Sequence, residues 1–367
     1  MKKKILVVVG TRPNFIKITQ FRRLHEAYAD QIEMKILHTG QHYDNKMSKI
    51  FFEQFNMAPD FMLDLESKSP ASQMGEIMMK LEEICKEYTP DLIMVPGDVN
   101  STFATALAAN KMNIKFAHIE SGLRSFDREM PEEINRILTD EIADILLVTE
   151  QSGLDNLKNE GVSDDRIAYV GNTMIDTIVA FQDKINACSI LSDLALEPKK
   201  FILMTMHRPS NVDDLEGLKK LISLIKGLGR DFKVVFPIHP RTVKKSKEYG
   251  IYDELISLGN LIISEPMDYC SFQRLTKESF MVITDSGGIQ EETTFYQVPC
   301  LTVRENTERP STITIGTNQL MGFDTELILE KVEEAKAGNA KRGEIPPLWD
   351  GKATDRIFEF IVTELGK

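Results

Sequence analysis

The chain has 367 residues, more than one ordinary core holds and enough for two domains. Hydrophobic residues make up 42%, which supports full cores and argues against a disordered chain. The 44 basic residues against 56 acidic ones give a net charge of −12, which argues against bulk nucleic-acid binding but allows a small anionic ligand held by local cations.

The N-terminus, MKKKILVVVG, opens on lysines, but its apolar run is confined to Ile5–Val9, shorter than a secretory signal needs. No apolar run approaches the roughly 20 residues of a membrane span, so no membrane partner is expected. Cys85, Cys188, Cys270 and Cys300 are scattered without a Cys-x-x-Cys pair, which suits a reducing cytoplasm.

Strands are expected at Ile5–Val9, Glu33–His38, Leu92–Val95, Lys115–Ile119 and Ile145–Val148, then at Ile202–Met206, Lys233–Ile238, Leu261–Ser264, Met281–Thr284 and Cys300–Val303. Most are uniformly apolar, as parallel strands covered on both faces should be. Helical patterns lie between them. In the first, Ile18, Phe21, Leu24 and Tyr28 fall on one stripe at spacings of three and four. Alternating βα units imply a parallel α/β architecture.

The pattern runs twice, opening on ILVVVGTRP and reopening on ILMTMHRPS at Ile202–Ser210, with a weaker polar stretch at Phe181–Lys200 between. The expected organisation is an N-terminal Rossmann-like domain over 1–171 and a C-terminal one over 172–352. A final helical segment, 353–367, is expected to pack back on the first. Ligands of open α/β sheets bind beyond the carboxyl ends of strands, so two such domains would face a central cleft.

Unusual polar residues follow the strand ends in order. GTRPNFIK offers Gly10 for a tight turn, Arg12 as a cation, Pro13 near a helix start and Lys17 one turn in. HTGQH places His38 and His42 about a glycine, a loop pattern rather than a metal pair, and no zinc spacing occurs. PGDVNST puts Asp98 at a strand end, where a cap or turn role is the plainer alternative. HIESGLRSFDREMPEEINR puts Glu120 where a structural residue would be apolar, and then places Glu132 and Glu133 in a first helical turn behind Pro131. The helix dipole accounts for at least one of those two glutamates. Asp98 and Glu120 come from separate strand ends and could converge as an acid/base pair.

The second half supplies cations instead. MHRPSN gives His207 and Arg208, and IHPRT gives His239 and Arg241. In ITDSGGIQEET, Ser286, Gly287 and Gly288 can offer N–H groups and a hydroxyl to a phosphate at a helix start. Asp285 and Glu292 read as a strand-end cap and a helix-face residue. RENTERP adds Arg309 as a second phosphate clamp.

Together GTRPNFIK, TGQHYD, GDVNST, HIESGLRS, MPEEINR, HRPSN, DSGGIQEE and ENTERP resemble, in order and spacing across nearly the whole chain, the non-hydrolysing UDP-N-acetylglucosamine 2-epimerases. The resemblance implies a glycosyltransferase-B-like fold. It also implies interconversion of UDP-N-acetylglucosamine and UDP-N-acetylmannosamine by elimination of UDP, a 2-acetamidoglucal intermediate and re-addition. Carried over by motif, Asp98, Glu120 and Glu132 are the acid/base group. Arg12, His207, Ser286, Gly287, Gly288 and Arg309 hold the diphosphate with Lys17 and Arg136 in support. Glu291 accepts from the ribose and Phe272 packs near uracil. The resemblance further implies no metal or redox cofactor and a homodimer. Tyr43 and Pro209 stand where substrate-activated members usually carry arginines, which argues against activation by substrate at a second site. Asn14 stands where many bacterial members read Glu. The alternatives are the same chemistry on a 2,3-diacetamido-glucuronate UDP-sugar and a glycosyltransferase of this fold. A hydrolysing epimerase usually carries an added kinase domain, and a nucleotide-sugar sensor would not need the intact carboxylates.

Overall fold

The computed structural model describes residues 2–41, 54–55, 57–67 and 69–366. His42 and Tyr43 lie outside the described residues. The chain divides into two compact units, Met1–Ala180 with Pro347–Lys367, and Phe181–Pro346.

The first unit holds strands β1 (Lys3–Val9), β2 (Ile32–His38), β3 (Phe61–Met62), β4 (Leu92–Pro96), β5 (Lys115–Ser121), β6 (Ile145–Val148) and β7 (Ile167–Tyr169). They form one seven-stranded sheet in the order β3-β2-β1-β4-β5-β6-β7, with every neighbouring pair parallel. The order reverses direction between β1 and β4, the switch point where open α/β sheets bind ligands. Ile5–Val9 are buried because helices cover both faces, which is why this strand is an unbroken apolar run.

The second unit holds β8 (Phe201–Thr205), β9 (Lys233–Pro237), β10 (Leu261–Ser264), β11 (Met281–Thr284), β12 (Cys300–Thr302) and β13 (Asn318–Leu320). Its six-stranded sheet runs β10-β9-β8-β11-β12-β13, also all parallel. Here the switch point falls between β8 and β11. The helix Leu215–Leu228 buries Leu218, Leu221, Ile222 and Ile225 in the core beside β8 and β9. All ten expected strands are present, and β3, β7 and β13 are additional.

One local feature departs from the sequence pattern. The stripe from Ile18 to Tyr28 is not one helix. It breaks between Arg12–Lys17 and Phe21–Ala27, where the Thr177 hydroxyl donates to the Ile16 carbonyl at 2.5 Å. The helix Ala353–Gly366 lies in the first unit, where the Phe358 ring packs at a tilt against Phe21 and Tyr28, with centroids 5.5 and 5.8 Å away. Its start is fixed by buried Asp176, which accepts from the N–H groups of Ala353 and Thr354 at 3.0 and 2.6 Å. Among the described residues, no helix is long and apolar enough to cross a membrane.

Candidate active site

In the first unit, β1, β4 and β5 are neighbours, so the turns at their carboxyl ends meet. After β1, Asn14 Oδ1 accepts from the N–H groups of Gly10 and Thr11 at 3.2 and 3.1 Å. Its Nδ2 donates to the Pro96 carbonyl at 2.9 Å, tying the first turn to the end of β4. Arg12 is half-buried at the first position of the following helix. Lys17, one turn further, is buried and forms an ion pair with Glu120, itself 6% exposed.

Glu120 has φ +71°, a left-handed conformation unusual for a residue with a long side chain. The pairing of β5 with β6 shifts register there, between Ile119 and Ser121. This bend turns the carboxylate away from the regular alternation of the strand. Gly97 completes the turn after β4 with φ +80°; a Cβ there would lie 2.9 Å from Asn14 Nδ2 and 3.3 Å from Lys17 Nζ. Only glycine suits that combination of backbone and space.

Asp98 follows directly. Its Oδ2 accepts from Arg136 Nη2 at 2.6 Å, and its side chain keeps 27% of its surface exposed. The other arm of Arg136 pairs with Glu133, which also accepts from the Ser125 N–H and hydroxyl and the Phe126 N–H, each at 2.9 Å. The two glutamates of MPEE therefore divide. Glu133 is buried and anchors the loop behind β5, whereas Glu132 is exposed on the first turn of Pro131–Ile142. Lys17 and Arg136, expected beside a diphosphate, are each engaged with a carboxylate of the first unit.

In the second unit the ends of β8, β11 and β12 lie side by side. Asp285, read from sequence as a strand-end cap, is fully buried at the centre. Its Oδ2 accepts from the N–H groups of His207 and Arg208, both at 2.8 Å, and from Asn211 Nδ2 at 3.1 Å. His207 Nδ1 lies 2.9 Å from Asp285 Oδ1, which fixes the ring while its side chain stays 40% exposed. Burial alone would raise the Asp285 carboxyl, but His207 and the N–H donors more than offset it and hold it below the usual range. The ring of His239 is 5.3 Å from that of His207. Burial, aided by the charge of His207, pushes the His239 imidazole down, consistent with its Nδ1 accepting from the Arg241 N–H at 3.1 Å.

Ser286, Gly287 and Gly288 stand half-buried at the start of the helix Gly287–Tyr296. A Cβ on Gly287 would lie 2.6 Å from both Arg309 Nη1 and Glu308 Oε1, so glycine lets the arginine reach the helix start. Arg309 Nε pairs with Glu291 Oε2 at 2.9 Å, and its Nη1 pairs with Glu308. Phe272 packs against the apolar cluster containing Ile289 and Leu275. Glu292 is buried rather than lying on an open helix face. This unit thus offers N–H groups, a hydroxyl, an imidazole and a guanidinium at adjoining strand ends, a set suited to a diphosphate. The roles of His118, Arg124 and Asp140 escaped the sequence reading, because each acts through partners distant in the chain that no local spacing signals.

The family model for UDP-N-acetylglucosamine 2-epimerase matches residues 25–362. A UDP-N-acetylglucosamine 2-epimerase of Methanococcus maripaludis is 39% identical, covering 98% of this chain and 99% of that one. A Pseudomonas aeruginosa UDP-2,3-diacetamido-2,3-dideoxy-D-glucuronate 2-epimerase is 37% identical over 98% of this chain and 99% of its own. The crystal structure of Methanocaldococcus jannaschii UDP-GlcNAc 2-epimerase in complex with UDP-GlcNAc and UDP superposes with a TM-score of 0.90 at 38% identity, covering 98% of this chain and 99% of that one. With both parallel-sheet units matched in that glycosyltransferase-B-type architecture, the chain belongs to the UDP-N-acetylglucosamine 2-epimerase family.

Proposed function

We propose that the chain interconverts UDP-N-acetylglucosamine and UDP-N-acetylmannosamine. A carboxylate takes the C2 proton while the C1–O bond breaks and UDP leaves with the bonding electrons. The resulting 2-acetamidoglucal is reprotonated at C2 from the opposite face, and UDP adds back at C1. The sequence of steps involves no net oxidation. The observation that carries this reading is Glu120, buried against Lys17 in a left-handed backbone beside the Gly97–Asp98 turn. Strain retained at a strand end marks a functional site.

In this reading Asp98, Glu120 and Glu132 share the proton transfers. His207, Arg12, Ser286, Gly287, Gly288 and Arg309 hold the diphosphate, where charge develops as UDP departs. Arg309 exchanges part of its pairing with Glu291 and Glu308 for phosphate oxygens, and Glu291 then accepts from the ribose. Phe272 lies against the uracil. Lys17 and Arg136 serve the diphosphate through the carboxylates they hold. A homodimer working in the cytoplasm belongs to the same reading.

The test is to incubate the protein with UDP-N-acetylglucosamine alone and follow the sugar by proton NMR. UDP-N-acetylmannosamine should appear without an acceptor. Free N-acetylmannosamine with UDP as the main product would replace this reading with hydrolysis, and an unchanged sugar would refute it. The similarity to the diacetamido-glucuronate enzyme favours one second reading, the same chemistry on that sugar. A higher kcat/KM on the uronate would select it.

A further inference from the structure

We propose that His118 and Asp140, which the reaction as assigned above does not use, are positioning residues that hold Glu120 and the Gly97–Asp98 turn in place for proton transfer. This inference rests on the epimerase reading.

His118 is fully buried in β5, two residues before Glu120. Its Nδ1 lies 2.6 Å from Asp140 Oδ1 and its Nε2 lies 2.7 Å from the Gly97 carbonyl oxygen. A carbonyl oxygen only accepts, and so does an ionised carboxylate. Burial pushes the Asp140 carboxyl up, but His118 and Arg124 outweigh it and keep the group below the usual range. Both ring nitrogens therefore face an acceptor, Asp140 on one side and the Gly97 carbonyl on the other. The buried Asp140 and Arg124 are paired: Arg124 Nη1 donates to Asp140 Oδ2 at 2.6 Å, and the exposed Glu160 accepts from Arg124 Nε and Nη2 at 2.8 and 2.7 Å. Charges persist in a protein interior only when paired in this way.

The connections explain its place. Asp140 grips the backbone on both sides of Glu120. One oxygen holds His118, and the other accepts from the Gly122 N–H at 3.0 Å. Between those two points lies the left-handed Glu120, followed by Gly122 at φ +80°. An unfavoured backbone conformation is retained only where its surroundings over-determine it, and this carboxylate supplies that constraint. His118 carries the constraint to the neighbouring strand. It holds the Gly97 carbonyl while the Gly97 N–H donates to the Ile119 carbonyl at 3.1 Å. The peptide leading into Asp98 is thereby fixed to the strand that carries Glu120. Buried below the site, His118 and Asp140 act through those two carboxylates rather than on the substrate.

The test compares Asp140→Asn, His118→Gln and His118→Ala with the parent chain, measuring epimerisation kinetics and UDP affinity on the same folded samples. A displacement of about 1 Å at a reacting group lowers rates by about 100-fold. Asp140→Asn should therefore lower kcat about 10- to 100-fold while the dissociation constant for UDP stays within about twofold of the parent. His118→Gln, whose amide can still donate to Gly97, should recover part of what His118→Ala loses. A folded Asp140→Asn protein with kcat within about twofold of the parent overturns the inference. So does a proportional loss of kcat and UDP affinity, which marks a merely structural role. If Asp140→Asn does not fold, the two His118 variants decide by the same comparison. A parent chain that fails to epimerise would instead refute the reading beneath.

Discussion

Gly97→Ala is the sharpest local perturbation of the candidate site. At φ +80° an alanine is left-handed, which costs about 1–2 kcal/mol. Its Cβ would also lie 2.9 Å from Asn14 Nδ2, and that atom cannot retreat freely, because it donates to the Pro96 carbonyl at 2.9 Å in a site only 2% exposed. Losing that hydrogen bond costs about 1 kcal/mol more. A total of about 2–3 kcal/mol corresponds to a drop of roughly 5–10 °C in Tm for a unit of this size. The same Cβ lies 3.3 Å from Lys17 Nζ and 3.9 Å from Glu120 Oε2, so kcat should fall at least tenfold. Differential scanning calorimetry and the epimerase assay measure the two effects separately. Gly97→Asn relieves part of the backbone penalty, because Asn tolerates this conformation, but none of the crowding. It should be more stable than Gly97→Ala and still impaired. A Gly97→Ala protein with parental Tm and kcat would refute the reasoning.

Asp98→Asn and Glu120→Gln should each lower kcat by about 100-fold or more while UDP still binds, checked by turnover and calorimetry; unaffected turnover would return both residues to turn and strand roles. Asp285→Asn removes the charge that fixes His207 and accepts the N–H groups of His207 and Arg208. UDP affinity should fall about tenfold, a loss of about 1.4 kcal/mol that titration calorimetry would detect. His38 tests the pH dependence. Its Nδ1 accepts from the Gly40 N–H at 2.8 Å, and burial pushes its imidazole from 6.5 down to about 4. Between those values the unfolded chain binds the extra proton, so stability contributed here is present above pH 6.5 and is lost as pH falls toward 4. The contribution is of order 3 kcal/mol. Chemical denaturation across that range should show a shallower slope for His38→Gln than for the parent.

The positions of ten strands were legible as apolar runs, because parallel strands buried on both faces leave a continuous signal. The three additional strands, Phe61–Met62, Ile167–Tyr169 and Asn318–Leu320, are two or three residues long and sit on sheet edges. Half-covered strands of that length have no period to detect. The break after Lys17 was invisible for another reason: the side chain that bonds the backbone there belongs to Thr177, far along the chain. The candidate site was legible where polar residues interrupt a strand end, as at Asp98, Glu120 and His207. It was not legible where a role depends on which partner is met. Glu132 and Glu133 suit the helix dipole equally, and only the N–H groups of Ser125 and Phe126 select Glu133 for burial. Asp285 was expected as a strand-end cap, and its two oxygens accept N–H groups of the turn after β8 and fix the His207 imidazole there. Arg309 and Glu291, assigned to separate parts of a nucleotide, meet each other at 2.9 Å, a pairing that no local spacing signals.

Proton exchange at C2 tests the elimination mechanism most directly. The chain, incubated with UDP-N-acetylglucosamine in D₂O without acceptor, should place deuterium at C2 of both the glucosamine and mannosamine nucleotides as they interconvert. Interconversion with the original hydrogen retained at C2 would contradict removal of that proton by a carboxylate, and with it the role given to Asp98 and Glu120.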